Sequence, residues 1–198
     1  MTSRREVEIK LKVSNPRALR RRLKQLGYQR LTPRLREQNS LFDFPDSRLG
    51  RDRCAVRLRL AGGTGLLTYK GPRVQSARYK VREEIETAVT DARRLRKILR
   101  RLGLREVLRY DKHRTTYAPP AASNSRRAGI LTYDETPAGN YIELEGSPRW
   151  IDATAQALGY RHKDYITASY ISLSNAKSMG ALRKRKRKPS TKRPASSL

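Results

Sequence analysis

Glu6-Val-Glu8-Ile-Lys10 puts two carboxylates and an ammonium on one side of an extended chain and Val7 and Ile9 on the other, because side chains alternate across a strand. Taken alone, such a strand belongs on a wetted sheet face. The alternation returns, however, along the whole chain. Arg57 and Arg59 share a face, with Val56, Leu58 and Leu60 opposite. Arg82, Glu84 and Glu86 are in phase around Ile85, Lys112 pairs with Arg114, and Glu143 and Glu145 flank Leu144. Asp134 lies on Leu-Thr-Tyr-Asp-Glu, and Lys70 on Leu-Leu-Thr-Tyr-Lys-Gly-Pro. Together these give seven carboxylates and seven cationic groups, in a chain with only 18 acidic residues. If the charged faces converge inside a closed sheet, with the apolar faces outward under helices, mutual pairing offsets part of the desolvation cost. An interior so polar remains expensive, which points to function as its reason.

Outward from that stretch, residues 5–13 predict a strand. Ser14-Asn15-Pro16 then supplies an N-cap and a proline near the first helical position. Leu19, Leu23 and Leu26 follow at helical spacing, and Gly27 ends the helix. The same arrangement recurs as a charged strand at 80–88, Thr90-Asp91, then Leu95, Leu99, Leu102 and Gly103, each leucine and the glycine lying 76 residues after its counterpart. This is a degenerate internal repeat. Further strands are expected at 38–44, 54–61, 65–70, 106–117, 129–135 and 140–146, with a last one in 164–173 and a third short helix between Ser147-Pro148 and Gly159. The expected fold class is α+β, with eight or nine mostly antiparallel strands and about three helices. Gly62-Gly63-Thr64-Gly65 leads into a strand and lacks a following Gly-Lys-Ser/Thr, so it reads as a hairpin loop and not as a phosphate-binding loop.

Composition bounds the rest. A chain of 198 residues, 36% of them hydrophobic, suits one domain with a small core. The single cysteine, Cys54, excludes an internal disulfide framework and a cysteine zinc cluster, and fits a reducing cytoplasm. No apolar signal region opens the chain and no run approaches the length of a membrane span, so a cytoplasmic protein without a span is expected. The net charge of +28 invites a nucleic-acid reading. Eight Lys or Arg and no acid fall within 181–198, which reads as a disordered basic tail able to bind polyanions without sequence preference. Much of the remaining excess lies on predicted helix surfaces.

Clustered carboxylates with no supporting cysteine or histidine are hard oxygen ligands suited to Mg²⁺ or Mn²⁺. His113 and His162 are isolated in the sequence and read as ordinary surface or strand residues. Lys and Arg facing the same cavity would hold phosphate oxygens. Metal plus a many-pronged cationic clamp is equipment for phosphoryl or nucleotidyl transfer.

These residues resemble the CYTH superfamily, named for class IV adenylyl cyclase and thiamine triphosphatase. The signature Glu-x-Glu-x-Lys is matched by Glu6, Glu8 and Lys10. Further matches are Leu-Phe-Asp-Phe-Pro-Asp at 41–46, Val-Arg-Leu-Arg at 56–59, Leu-Thr-Tyr-Lys-Gly-Pro at 67–72, Arg-Glu-Glu-Ile-Glu at 82–86, Lys112 with Arg114, Asp134, Ile-Glu-Leu-Glu at 142–145 and Ser169-Tyr170. The wording is most similar to the bacterial class IV adenylyl cyclase-like and thiamine triphosphatase-like branch.

The resemblance implies an eight-stranded antiparallel β-barrel, a tunnel for a triphosphate-containing small molecule, in a catalytic domain over 1–175 followed by the basic tail at 176–198. By that analogy Glu6, Glu8, Asp134, Glu143 and Glu145 would bind Mg²⁺ or Mn²⁺. Lys10, Arg57, Arg59, Lys70, Arg82, Lys112 and Arg114 would hold the triphosphate, and Lys10, Glu84 and Glu86 would act in catalysis, the glutamates orienting the cations or assisting the metal. The chain departs from related sequences at Ser169-Tyr170-Ile171-Ser172, where Ser-Tyr-x-Glu is usual, and at Asn39, often an acid. Three functions are carried forward. The first is hydrolysis of inorganic or organic triphosphate; the second is cyclisation of ATP to cyclic AMP and pyrophosphate; the third is a basic nucleic-acid-binding module. The sequence leaves the oligomeric state open between monomer and homodimer.

Overall fold

The alternating segments become nine strands of one antiparallel sheet, seen in a computed structural model that describes residues 4–74, 76, 78–120, 129–170 and 172–173. In chain order the elements are β1 (Arg4–Lys12), α1 (Pro16–Gln25), β2 (Gln29–Arg30), β3 (Leu35–Asp43), α2 (Arg48–Arg51), β4 (Ala55–Ala61), β5 (Thr64–Val74), β6 (Lys80–Val89), α3 (Ala92–Arg101), β7 (Arg105–Ala118), β8 (Gly129–Thr136), β9 (Gly139–Gly146) and α4 (Pro148–Ala157). The sheet runs β2-β7-β3-β4-β5-β6-β1-β9-β8, and a further β7–β8 pairing closes eight of these strands into a barrel with β2 outside the ring.

The repeat is visible in the topology. β1-α1-β3-β4-β5 is followed by β6-α3-β7-β8-β9, and the two copies pair through β1 with β6 and β3 with β7. Glu6 faces Arg82, the residue in the same place in the second copy. Both helices start on a side-chain cap: Asn15 Oδ1 accepts from Ala18 N (3.0 Å), and Asp91 Oδ1 from Arg94 N (2.8 Å). Both end on a left-handed glycine, Gly27 at φ +75° and Gly103 at φ +90°.

Because the charged faces point inward, the apolar cores lie outside the barrel under the helices. One core joins Ile9 and Leu11 of β1, Leu131 of β8, and Ile142 and Leu144 of β9 to Leu19 and Leu23 of α1 and Ile151 and Ala155 of α4. The other joins Phe42 of β3 and Leu58 of β4 to Leu99 of α3 and to Leu104. Among the described residues no helix is long and apolar enough to cross a membrane.

Among the described residues the named α-helices are four where about three were expected, the extra one being the four-residue α2. Asp43 builds that turn by accepting Leu49 N at Oδ1 (3.0 Å) and Gly50 N at Oδ2 (2.9 Å). β3 starts at Leu35, three residues before the expected 38, and β5 continues through Gly71-Pro72 to Val74. The expected strand in 164–173 is replaced by a 3₁₀ turn at His162–Asp164 and a single bridge between Ile166 and Lys10. Asp164 Oδ2 accepts Arg161 N (2.8 Å), and this local bond competes with an extended ladder. The chain divides into a unit ending at Thr167 and a unit from Ala168 to Leu198. In the latter, Ser169 O accepts Leu173 N (3.0 Å). The expected basic tail at 176–198 lies outside the described residues.

Candidate active site

Every strand of the ring sends charged or polar side chains inward at alternate positions. Around β7, β8 and β9 these form a continuous ion-pair network. Arg114 grips Asp134 bidentately, Nε to Oδ1 at 2.7 Å and Nη2 to Oδ2 at 2.5 Å, and also meets Glu143. Lys112 Nζ donates to Asp134 Oδ2 at 2.8 Å and lies 3.4 Å from Glu37 Oε2. Lys10 Nζ sits 3.1 Å from both Glu8 and Glu143, and Lys80 closes the group on Glu8. Burial alone would raise the Glu8 carboxyl, but Lys10 and Lys80 prevail over Glu143 and hold it below the usual range. Burial opposes ionisation of Asp134 and Glu143 as well; Arg114 and Lys112, joined at Glu143 by Lys10, keep both carboxyls low.

On β4, β5 and β6 the arrangement is looser. Arg57 Nη2 donates to Thr68 Oγ1 (3.1 Å), which donates to Glu86 Oε1 (2.7 Å), and Arg59 Nη1 reaches Glu37 Oε1 (3.4 Å). Yet the buried Nε atoms of Arg57 and Arg59 have no hydrogen-bond acceptor; elsewhere in the ring Asn39 Oδ1 on β3, Thr132 Oγ1 on β8 and Glu37 Oε2 are likewise unsatisfied. Lys70 pairs with Glu84, but burial and the neighbouring Arg57 prevail over that partner and bring its pKa down to about 8. Burial also lowers Lys80, Arg59 and Lys112, the last two with help from Arg57 and Arg114 respectively. An anion entering here would relieve these cations.

Glu6 lies between the two regions and behaves in the opposite sense. Burial, then Glu145 and Glu84 beside it, push its pKa up to about 8. Carboxylates from β1, β6 and β9 are thus crowded together, and a cation among them would relieve Glu6. All are oxygen donors without histidine or cysteine, so the donor chemistry fits Mg²⁺ or Mn²⁺. Among the described residues no three such groups already stand as a ligand set. Asp134, by contrast, is fully engaged by two cations.

The residues singled out from the sequence therefore gather in one interior, in different settings. Glu8, Lys10, Lys112, Arg114, Asp134 and Glu143 share the dense network; Glu6, Glu84 and Glu145 form the crowded patch; Arg57, Glu86, Arg59 and Lys70 line the looser side. Arg82 spends its donors on main chain, with Nη2 2.8 Å from Gly71 O and 3.0 Å from Arg53 O. It fixes the β5 bulge to the turn before β4. Sequence reasoning missed Glu37 and Lys80. Lys80 was legible by parity, two residues before Arg82. Glu37 was lost because the strand was started at 38.

Comparison with known proteins agrees with this architecture. The CYTH domain family model matches residues 4–170. A relative from Methanocaldococcus jannaschii, named as a candidate adenylate cyclase, is 34% identical over 112 residues, or 57% of this chain and 63% of that protein. The match thus spans less than two thirds of the relative's length. Among solved structures, a candidate adenylate cyclase from Vibrio parahaemolyticus aligns with a TM-score of 0.75 at 20% identity, covering 88% of this chain and 99% of the other. A Pyrococcus horikoshii protein aligns at 0.69 and 24%, covering 87% and 99%. A candidate adenylyl cyclase from Hippeastrum, described as revealing a dominant triphosphatase activity, aligns at 0.61 and 18%, covering 87% and 96%. With the Glu6, Glu8 and Lys10 signature lining a closed eight-stranded barrel, and the family match spanning nearly all described residues, the chain belongs to the CYTH domain family.

Proposed function

We propose that the barrel interior binds a triphosphate together with Mg²⁺ or Mn²⁺ and hydrolyses it. The observation that carries this reading is the paired deficit inside one barrel: buried guanidinium N–H groups on Arg57 and Arg59 without acceptors, and a crowded carboxylate patch at Glu6. A substrate with only one sign of charge would satisfy one and aggravate the other. Arg57, Arg59, Lys70 and Lys112 hold the phosphate oxygens, with Lys10 and Arg114 maintaining the carboxylates that surround them. Glu6 and Glu145, assisted by Glu84, hold the divalent ion, and Glu8 and Glu143 complete its surroundings. When bound, the ion supplies Lewis-acid neutralisation of the phosphate charge. The oxygen of a water forms the new bond to the terminal phosphorus as the bridging P–O bond breaks in line, and the departing phosphate keeps the electron pair. Glu84 takes the water's proton once Lys70 turns from it to the phosphate.

Cyclisation of ATP uses the same clamp with a ribose hydroxyl as nucleophile, and the name of the Methanocaldococcus relative favours keeping it as the second reading. Product analysis separates the two. The protein with Mn²⁺ or Mg²⁺ is given inorganic triphosphate and ATP separately, and the products are resolved by anion exchange. Orthophosphate is expected; cyclic AMP with equimolar pyrophosphate would replace hydrolysis by cyclisation, and no turnover of either would overturn both.

A further inference from the structure

Charge does not run all the way round the barrel. Along the inward faces of β3 and β7, Glu37 stands opposite Lys112, and the next two positions pair Asn39 with Tyr110 and Leu41 with Leu108. The last four side chains form an uncharged patch, in an interior where β1, β6 and β9 present chiefly carboxylates and cations. The patch adjoins the arginines of β4: Asn39 is opposite Arg59, and Leu41 is opposite Arg57. Directly opposed residues on neighbouring strands stand about 4.5–5.5 Å apart, so phosphates held by Arg57 and Arg59 bring whatever group they carry onto this patch. Burial, prevailing over the nearby Arg57, raises the Tyr110 hydroxyl, which therefore keeps its proton at neutral pH.

Within the patch Asn39 is fully buried, and its carboxamide is only half used. Nδ2 donates to Glu37 O (3.4 Å), whereas Oδ1 receives no donor among the described residues. A buried acceptor of this kind calls for an N–H or O–H. Ionised phosphate has only acceptor oxygens and cannot supply one. A divalent cation is disfavoured beside the two guanidinium groups of β4, and β3 lies four strands from β1, with its Glu6, whichever way the ring is followed. The missing donor therefore belongs to the part of the substrate that is not phosphate. Given the triphosphate reading, on which this rests, we infer that Asn39 and Tyr110 determine specificity for a nucleoside triphosphate: Asn39 Oδ1 accepts from an N–H or O–H of the nucleoside, and the flat base lies against the Tyr110 ring, with Leu41 and Leu108 beside it.

Titration calorimetry on the full chain with Mn²⁺ tests this by comparing ATP with methyl triphosphate, which matches it in charge and phosphate chain but has no ring and no donor on its organic group. In both compounds methylene replaces the oxygens that bridge phosphorus atoms, so neither is cleaved. ATP is expected to bind at least about tenfold more tightly. Asn39→Leu, which keeps the volume and removes the acceptor, and Tyr110→Ala, which removes the ring, should each abolish most of that preference while changing affinity for methyl triphosphate by less than about threefold. The comparison of the two ligands on the parent chain stands by itself should either substitution disturb the barrel. Equal binding of the two compounds by the parent chain, or a preference for ATP that survives either substitution, would overturn this inference and leave the triphosphate reading in place. Binding of neither compound would overturn both.

Discussion

Two parts of the barrel interior are built from the same residue types and behave in opposite ways. Around Asp134, fully buried, each carboxylate meets a lysine or arginine, and burial is compensated within the protein. Around Glu6, carboxylates meet carboxylates, and on β4 two arginines keep buried N–H groups without acceptors. The first region has its charges balanced by folding. The second keeps like charges together and leaves two guanidinium N–H groups unsatisfied, the features on which the proposed triphosphate site rests. The difference teaches that inward charge in this barrel is arranged in two ways, as a scaffold of paired ions and as a patch where like charges crowd beside guanidinium N–H groups that lack acceptors.

The sharpest way to break that comparison is to remove a member of the scaffold. Asp134→Ala leaves Lys112 and Arg114 buried with one counter-charge fewer and is expected to destabilise the fold by about 3–5 kcal/mol, measured by urea unfolding. A loss below about 1 kcal/mol would mean that the network relaxes and is no scaffold. Glu6→Gln is expected to act the other way. Without metal it should unfold no more readily than the parent at pH 9, while Mn²⁺ affinity falls by at least about 10- to 100-fold in isothermal titration. Unchanged affinity would move the metal elsewhere.

Arg57→Ala and Arg59→Ala sharpen the comparison from the anion side. Each removes a charge-assisted contact worth about 1.5–3 kcal/mol, so kcat/KM for triphosphate should fall by about 10- to 100-fold with little change in unfolding midpoint. The pH profile joins both sides. Glu6 has its folded pKa raised to about 8 from 4.5, so the unfolded chain loses this proton first and stability from this group declines as pH rises from about 4.5 through 8. Over the same interval metal binding improves, because the ion displaces the proton. Lys70, lowered to about 8, loses its charge above that pH and weakens its hold on phosphate. Turnover is therefore expected to peak near pH 8 and fall on both sides. A profile flat from about pH 6 to 10 would remove both residues from the site. The smallest effect marks the boundary of the comparison: Arg36, 61% exposed and paired with Asp111, should change stability by no more than about 0.5 kcal/mol as Arg36→Ala.

The internal repeat, the two capped helices and the inward charge set could be read from residue order, because a period of two fixes the face of a strand and capping chemistry is local. Glu37 escaped because strand ends are hard to place and it lies one residue before the expected start of its strand, whereas Lys80 falls inside the expected strand 80–88, in phase with Arg82. α2 escaped because its turn is held by Asp43, whose carboxylate reaches forward to Leu49 and Gly50. Arg82 shared the correct parity with Glu84 and Glu86, yet its length lets it reach past the cavity to carbonyls on two other segments.

The sequence by itself determined which residues face inward and that their charges suit a metal and a phosphate chain. Only the tertiary structure decided who meets whom. Sliding one strand past another by two residues preserves every face and changes every partner, so parity is silent on register. That Asp134 falls between Lys112 and Arg114, while Glu6 falls beside Glu84 and Glu145, was set by closing β7 against β8 and seating β1 between β6 and β9. These contacts join residues far apart in the chain, and their geometry is fixed by the barrel as a whole.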